Sequence, residues 1–343
     1  MLKEIEIQNF RCFEQIKISG FERVNLIGGK NNAGKTALLE ALFLNVVPKP
    51  SSILILRKLR REPLEAIKAM PDRAWDNLFY VREKDKSIVI IGKDENNNTD
   101  VVEIKSFTSS ITINLKNGKE IFSRNRLPSL IASSIGLRNR ENNQIITDSI
   151  STTGEVPIIP SFTRISGREL TEAYDNARLD DKDSEVLKAF QILDPAIESV
   201  ESFSIGEPTL YLRRKGEKRL PLSLFGDAMN RVAYIMLKLV NNNKYKILLI
   251  DEIENGIHYT SQREFWRVLF RLAVELDTQI FATTHSLEML QAFADVGLEP
   301  NQECTSAYFE LARKLKTNQI IGIRRDLETL NYALEHQEGV RGE

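Results

Sequence analysis

Cysteine is almost missing: Cys12 and Cys304 are the only two in 343 residues. Two thiols so far apart supply neither a disulfide framework nor a zinc-binding spacing, and such a chain suits a reducing cytoplasm. An excess of either charge is also missing. The 47 Lys and Arg residues against 48 Asp and Glu leave a formal charge of −1, so no global field draws the protein to nucleic acid or an anionic membrane, and any polyanion contact has to be local. No apolar run approaches the roughly 18 residues of a membrane span. The N-terminal MLKEIEIQNF alternates charged with apolar residues, which is not the basic head and apolar stretch of a secretory leader. Internal repeats and long heptad arrays are lacking too. What remains is a chain with 42% hydrophobic residues, enough to bury a large core as one elaborated domain or two lobes.

Apolar periodicity predicts a strand pair in residues 2–18 around the turn-like NFRCFEQ, then a strand at 24–27. Dense apolar residues after Thr36 predict a helix, with Pro48 and Pro50 as its terminators. Residues 51–205 read as an inserted lobe with connecting helices. It has a basic helical piece near 57–70, short strands at 87–91, 101–107 and 111–115, polar loops at 94–100 and 138–153, a buried strand at 156–160 and one long charged helix over 167–192. The C-terminal part, 206–343, turns regular: helix 226–240, strand 246–250, helix 261–276, strand 279–283 and a helix from Ser286. Strands alternating with helices of this length predict an α/β fold with a mostly parallel sheet covered on both faces. Residues 1–50 and 206–343 then form the two halves of one core.

Three motifs carry chemistry. Between a predicted strand and a predicted helix lies GKNNAGKT, comprising Gly29, Lys30, Asn31, Asn32, Ala33, Gly34, Lys35 and Thr36. Its glycines let backbone N–H groups wrap a phosphate at the positive end of the next helix; Lys35 would neutralise β- and γ-phosphate oxygens and Thr36 would ligate Mg²⁺. Far downstream, the apolar strand of KILLIDEIENGIHY delivers Asp251 and Glu252 at its C-terminal end, the edge where open α/β sheets bind ligands. Asp251 would hold Mg²⁺ and Glu252 would orient or deprotonate the attacking water, since phosphoryl transfer depends on positioning and charge neutralisation. Third, the strand of FATTHS ends in His285, one of three histidines, placed for an imidazole to read a γ-phosphate. ATP with Mg²⁺ is the expected ligand and ATP hydrolysis the expected reaction.

Together IEIQNFRCF, GKNNAGKT, LLIDEIENGIH and TTHS resemble the ABC-type ATPases of the RecF, SMC and OLD (overcoming lysogenization defect) group. The resemblance covers both ends of the chain and thins in the middle. It implies an ABC-ATPase-like P-loop fold with antiparallel N-terminal strands and an inserted lobe. It also implies that Glu252 is the catalytic base, that His285 is a switch residue and that Arg11, in the NFRCF turn, lies near the nucleotide; a solvated turn arginine is the alternative. Such ATPases complete their site across a head-to-tail dimer. At the place of the signature motif stands LPLSLFGDAMNRV, in which Ser223 and Gly226 would offer a hydroxyl and backbone donors to a phosphate on the other subunit, against ordinary helix capping by Ser223 or Asp227. The transporter-type Ser-Gly-Gly-Gln core is absent. Residues 255–258 would cross the dimer interface, and Gln144 and Arg164 are the candidates for the signature-lobe glutamine.

Without a long heptad insertion the chain looks less like SMC proteins than like the ATPase module of OLD proteins. Only residues 286–343 follow His285, too few for the TOPRIM nuclease domain of full OLD proteins. The resemblance therefore implies a homodimer or higher homo-oligomer that regulates a separately encoded nuclease or toxin in bacterial defence against phage. The alternative is a RecF-like DNA-binding ATPase in repair. DNA would have to meet one of two basic clusters, Arg57, Lys58, Arg60 and Arg61, or Arg213, Arg214, Lys215, Lys218 and Arg219. Each also reads as an ordinary solvated face.

Overall fold

The computed structural model describes residues 1–60, 75–107, 110–115, 118–123, 156–161, 166–204, 206–242 and 244–336. Alternation builds the N-terminal sheet. In Leu2–Phe10 (β1), Ile5 and Ile7 are buried between polar neighbours, and they pair with Ile18 and Ile16 of Phe13–Ser19 (β2). Next come Val24–Gly29 (β3), Lys35–Val46 (α1) and Pro50–Leu59 (α2). Pro50 therefore opens a helix instead of only ending one. Proline fits the first helical position, where its missing N–H has no intrahelical partner. The basic helix expected from residue 57 starts at Pro50, and residues 61–70 of that expectation lie outside the described residues.

Ile88–Asp94 (β4) pairs antiparallel with the free side of β1, and Thr99–Ser106 (β5), Ser110–Leu115 (β6) and Gly118–Ser123 (β7) add on in turn. The sheet order is β2-β1-β4-β5-β6-β7. The loop expected at 138–153 lies outside the described residues. Ile158–Ile159 (β8) is the core of the strand expected at 156–160.

Two helices replace the one expected over 167–192: Gly167–Leu179 (α3) and Asp183–Leu193 (α4). Between them Asp181 takes φ 57° and Lys182 N–H donates to the Ala177 carbonyl at 2.8 Å. A left-handed residue closed by such a bond is a helix stop, and Asp tolerates it better than most residues. The meander Ile197–Phe203 (β9), Thr209–Arg214 (β10) and Leu220–Pro221 (β11) follows.

The rest of the chain alternates helix and strand, in Asp227–Val240 (α5), Ile247–Ile250 (β12), Gln262–Glu275 (α6), Gln279–Thr283 (β13), Leu287–Gly297 (α7), Ser306–Arg313 (β14), Ile320–Arg325 (β15) and Leu327–Glu335 (α8), and its strands join β3 and β8 in a second large sheet. Its order is β15-β14-β3-β13-β12-β8, with β3, β8, β12, β13 and β14 joined by parallel pairing. All six residues of β3 and all five of β13 are buried, the mark of strands covered on both faces. Helices α5, α6 and α7 pack Ile235, Trp266, Phe270 and Phe293 against Leu26, Leu248, Ile250 and Ile280. The Trp266 and Phe293 rings meet edge to face at 5.0 Å. Each such side chain contributes about 1.5–3 kcal/mol on burial. Strands β3, β8, β12 and β13 and most of β14 lie in a unit made of Phe21–Lys35, Pro157–Ala312 and Ile323–Glu343, while the antiparallel sheet lies in a separate unit. Among the described residues no helix is long and apolar enough to cross a membrane.

Candidate nucleotide site at the strand ends

Strand β3 ends where side chains do not fit. A Cβ on Gly28 would collide with the Tyr308 hydroxyl, and Gly29, at φ 133°, would drive one into the Leu311 carbonyl. The chain then turns through Asn32 at φ 63° and Gly34 at φ 95°, left-handed positions that glycine and asparagine adopt most readily. The Ala33 N–H closes the loop on the Lys30 carbonyl at 3.1 Å. Lys35 begins α1, and its Nζ donates to the carbonyls of Gly29 at 2.6 Å and Lys30 at 2.9 Å. Burial pulls the ammonium down to about 8, against the opposing pull of Asp251, Glu254 and Glu252. The loop lysine thus sits in the field of the acidic strand's end.

At that end, Asp251 is buried and its Oδ1 accepts the Thr283 hydroxyl proton at 2.7 Å. Glu252 turns to φ 47° and its N–H donates to the same hydroxyl at 2.8 Å. Its carboxylate faces two partners: Oε2 accepts from Asn255 Nδ2 at 2.8 Å, and Oε1 lies 3.7 Å from His285 Nε2. The His285 backbone N–H donates to Glu254 Oε1 at 2.6 Å, while Glu254 Oε2 is buried with no partner. From α5, the buried Arg231 donates to the carbonyls of Asp251 at 3.0 Å and Pro160 at 2.9 Å. The structure therefore brings Lys35, Asp251, Glu252 and His285 to one edge of the parallel sheet. The sequence singles out neither Thr283 nor Arg231, and it offers Glu254 only as the alternative base in place of Glu252. The only signal was polarity: a threonine closing an apolar strand and a third acid in DEIEN.

The remaining expected residues lie as follows. Ser223 is exposed in a short 3₁₀ turn, Leu222–Phe225. Gly226, at φ 90°, is the N-cap of α5; no side chain caps that end, and a Cβ there would meet nothing within 4 Å. Thr36 follows Lys35 in the first turn of α1. Arg11 is no solvated turn residue. Its Nε donates to Glu40 at 2.9 Å and its Nη1 to the Asn77 carbonyl at 2.8 Å, with its side chain only 6% exposed. Gln144 and Arg164 fall outside the described residues. The basic clusters are threaded with acids: Arg60 binds Glu40, Arg214 binds Asp194, Arg219 binds Glu201, and Arg213 lies 3.6 Å from Glu198. No group of three or more His, Cys, Asp or Glu among the described residues is placed to hold a metal alone.

Comparison with known proteins agrees with this layout. A family model described as "AAA domain, putative AbiEii toxin, Type IV TA system" matches residues 78–290, more than half of the chain, and one described as "AAA ATPase domain" matches residues 1–152. An "ATP/GTP phosphatase" of Helicobacter pylori is 25% identical over 394 aligned positions that span 100% of both chains. The DNA replication and repair protein RecF of Bacillus cereus is 38% identical over 48 residues, 14% of this chain and 13% of that protein. The SMC head domain from Thermotoga maritima shares the fold, with a TM-score of 0.52 at 13% identity over 95% of this chain and 99% of that one. The chain belongs to the AAA family of that first description, and it shares the fold of an SMC head domain.

Proposed function

We propose that this protein hydrolyses ATP with Mg²⁺, that two copies close head to tail around the nucleotide, and that the nucleotide state controls a separately encoded effector, a nuclease or toxin, in defence against phage. The enzymatic half rests chiefly on one observation: Lys35, buried at the phosphate loop, lies in the field of Asp251, Glu252 and Glu254. A lysine paired with acids at a parallel-sheet edge suits a ligand that carries both phosphates and a cation.

The donor set fits Mg²⁺. Thr36 and Asp251 offer hard oxygens, one or two protein ligands suffice when phosphates supply others, and the buried, unpartnered Glu254 Oε2 marks a polar interior. Bound there, Mg²⁺ would neutralise charge on the phosphate oxygens. Backbone N–H groups of residues 29–36 cradle the phosphates and Lys35 moves from loop carbonyls to phosphate oxygens. Glu252, steadied by Asn255, orients and deprotonates the attacking water, and His285 reads the γ-phosphate. Arg11, as in the family resembled, would act near the nucleotide. Ser223 and the open N-terminus behind Gly226 would serve the other subunit's phosphate.

Two variants test the enzymatic reading. Lys35→Ala is expected to abolish nucleotide binding, and Glu252→Gln to keep binding while slowing turnover at least about 10²-fold. Wild-type turnover by Glu252→Gln would sink the assignment. For the cellular role, the protein is co-purified with its neighbouring gene products; no partner, together with unchanged phage sensitivity on its loss, removes the effector reading. The short RecF match favours a second reading, DNA binding in repair. The carboxylates beside Arg213, Arg214 and Arg219 weigh against it. An ATP-dependent, salt-sensitive affinity for duplex DNA would support it.

A further inference from the structure

Thr283 closes β13 and is fully buried, yet no role in nucleotide chemistry falls to it by motif. A hydroxyl has one proton to give and lone pairs to receive. Here the proton goes to Asp251 Oδ1 at 2.7 Å, and the oxygen receives the Glu252 N–H at 2.8 Å. The Thr283 carbonyl accepts the Ile253 N–H at 2.9 Å. Three consecutive residues leaving β12 are thus tied to one residue of the neighbouring strand. The β12–β13 ladder runs to Ile250 opposite Ala282. Two positions later, Glu252 takes φ 47°, a conformation unfavourable for any residue with a Cβ unless its surroundings hold it. That turn separates the two acids: Asp251 stays buried, while Glu252 emerges toward His285 with its side chain 36% exposed.

We propose that Thr283 is a positioning residue for ATP hydrolysis, its single hydroxyl fixing the Asp251 carboxylate toward Mg²⁺ and locking the Glu252 backbone in the turn that aims the base. The inference rests on the ATPase reading above. Valine would fill the same volume but take one donor from a buried carboxylate and the hydroxyl acceptor from a backbone N–H. Serine keeps the hydroxyl. Because His285 stands two residues further along the same chain, the residue reading the γ-phosphate and the residue aiming the base share one strand end.

The test compares Thr283→Val and Thr283→Ser with wild type and Glu252→Gln, reading kcat, KM, and ATP affinity with and without Mg²⁺. Thr283→Val is expected to lower kcat about 10–100-fold, as loss of a residue behind a metal ligand does. It should also lose most of the affinity that Mg²⁺ adds, with Mg²⁺-free ATP binding within about threefold of wild type. Thr283→Ser should restore kcat and the Mg²⁺ gain to within about threefold. Thr283→Ala carries the valine expectation should the valine variant not fold. The inference is overturned if the variants lacking the hydroxyl keep wild-type kcat and Mg²⁺ gain, or if serine is as impaired as they are. The ATPase reading fails separately, through an inactive wild type or an active Glu252→Gln; the Mg²⁺ gain in binding still judges Thr283 in either event.

Discussion

Lys35 spends its ammonium on the loop it is meant to serve, donating to the carbonyl of Gly29 at 2.6 Å. Burial lowers its pKa to about 8 from an ordinary 10.5, although Asp251, Glu254 and Glu252 pull the other way. Triphosphate binding requires the charged form. Below about pH 8 that form predominates in the free protein and ATP affinity should be flat with pH; above it, binding takes up a proton and affinity should fall by up to about tenfold per pH unit. Calorimetry in buffers of different ionisation enthalpy measures this directly, with close to one proton taken up near pH 9 and little near pH 7. Pure folding stability has the opposite slope: between about 8 and 10.5 the unfolded chain binds more protons at this site, so the lysine's destabilisation is relieved as pH rises through that window. Affinity unchanged from pH 7 to 9.5 would contradict the assignment of Lys35 to the phosphates.

Glu254 divides two roles between two oxygens. Oε1 accepts the His285 backbone N–H at 2.6 Å and Oε2 is buried without a partner. Because an amide oxygen can accept the same N–H, Glu254→Gln should keep kcat within about threefold of wild type, while Glu254→Ala should lose about tenfold or more through a loosened His285. Steady-state ATP hydrolysis of the pair decides the matter. If glutamine is as slow as alanine and matches Glu252→Gln, Glu254 is a proton acceptor and not a holder of the histidine.

What could be read from the sequence was what lies contiguous along it. The phosphate loop, the acidic strand's end and the histidine each follow a short, mostly apolar run, and the parallel sheet puts the ends of those runs together. Hydrogen bonds between neighbouring strands leave no such trace, so Thr283 stayed hidden although it touches Asp251 and Glu252. The run Arg213 to Arg219 looks strongly basic in sequence, with Glu217 its one acid, because the carboxylates that pair with its arginines, Asp194, Glu198 and Glu201, stand on or beside β9, the paired strand. Strands β14 and β15 are not legible in the sequence because charged residues interrupt their apolar pattern, Glu310 in SAYFELAR among them. That acid is buried by an ion pair with Arg325 that periodicity does not reveal.

Glu40 anchors the N-terminal turn. Its carboxylate, 1% exposed, accepts from Arg11 at 2.9 Å and from Arg60 at 2.6 Å. Removing one member of a buried ion network leaves uncompensated charge, a loss of about 3–5 kcal/mol. Glu40→Ala should therefore lower the denaturant midpoint sharply, and Glu40→Gln, which keeps one acceptor oxygen but no charge, should fall between it and wild type. Equal midpoints for all three would show that the two guanidinium groups find equivalent partners without Glu40.

Gly226 offers the most direct test of the two-copy site. At φ 90° it caps α5 with no side chain closing the end, and a Cβ there would meet no atom within 4 Å. A substitution is therefore strained by conformation and not by crowding within this chain. If the open N-terminus receives the other subunit's γ-phosphate, Gly226→Val should leave ATP affinity of the monomer within about threefold yet lower turnover about 10²-fold, the scale of a lost charge-stabilising donor. The oligomeric state separates this from simple misfolding. In a Glu252→Gln background, expected to hold ATP uncleaved, sedimentation should show a dimer with ATP and a monomer without it, and Gly226→Val should abolish only the former. A Glu252→Gln protein that stays monomeric with saturating ATP would place the whole reaction within one chain.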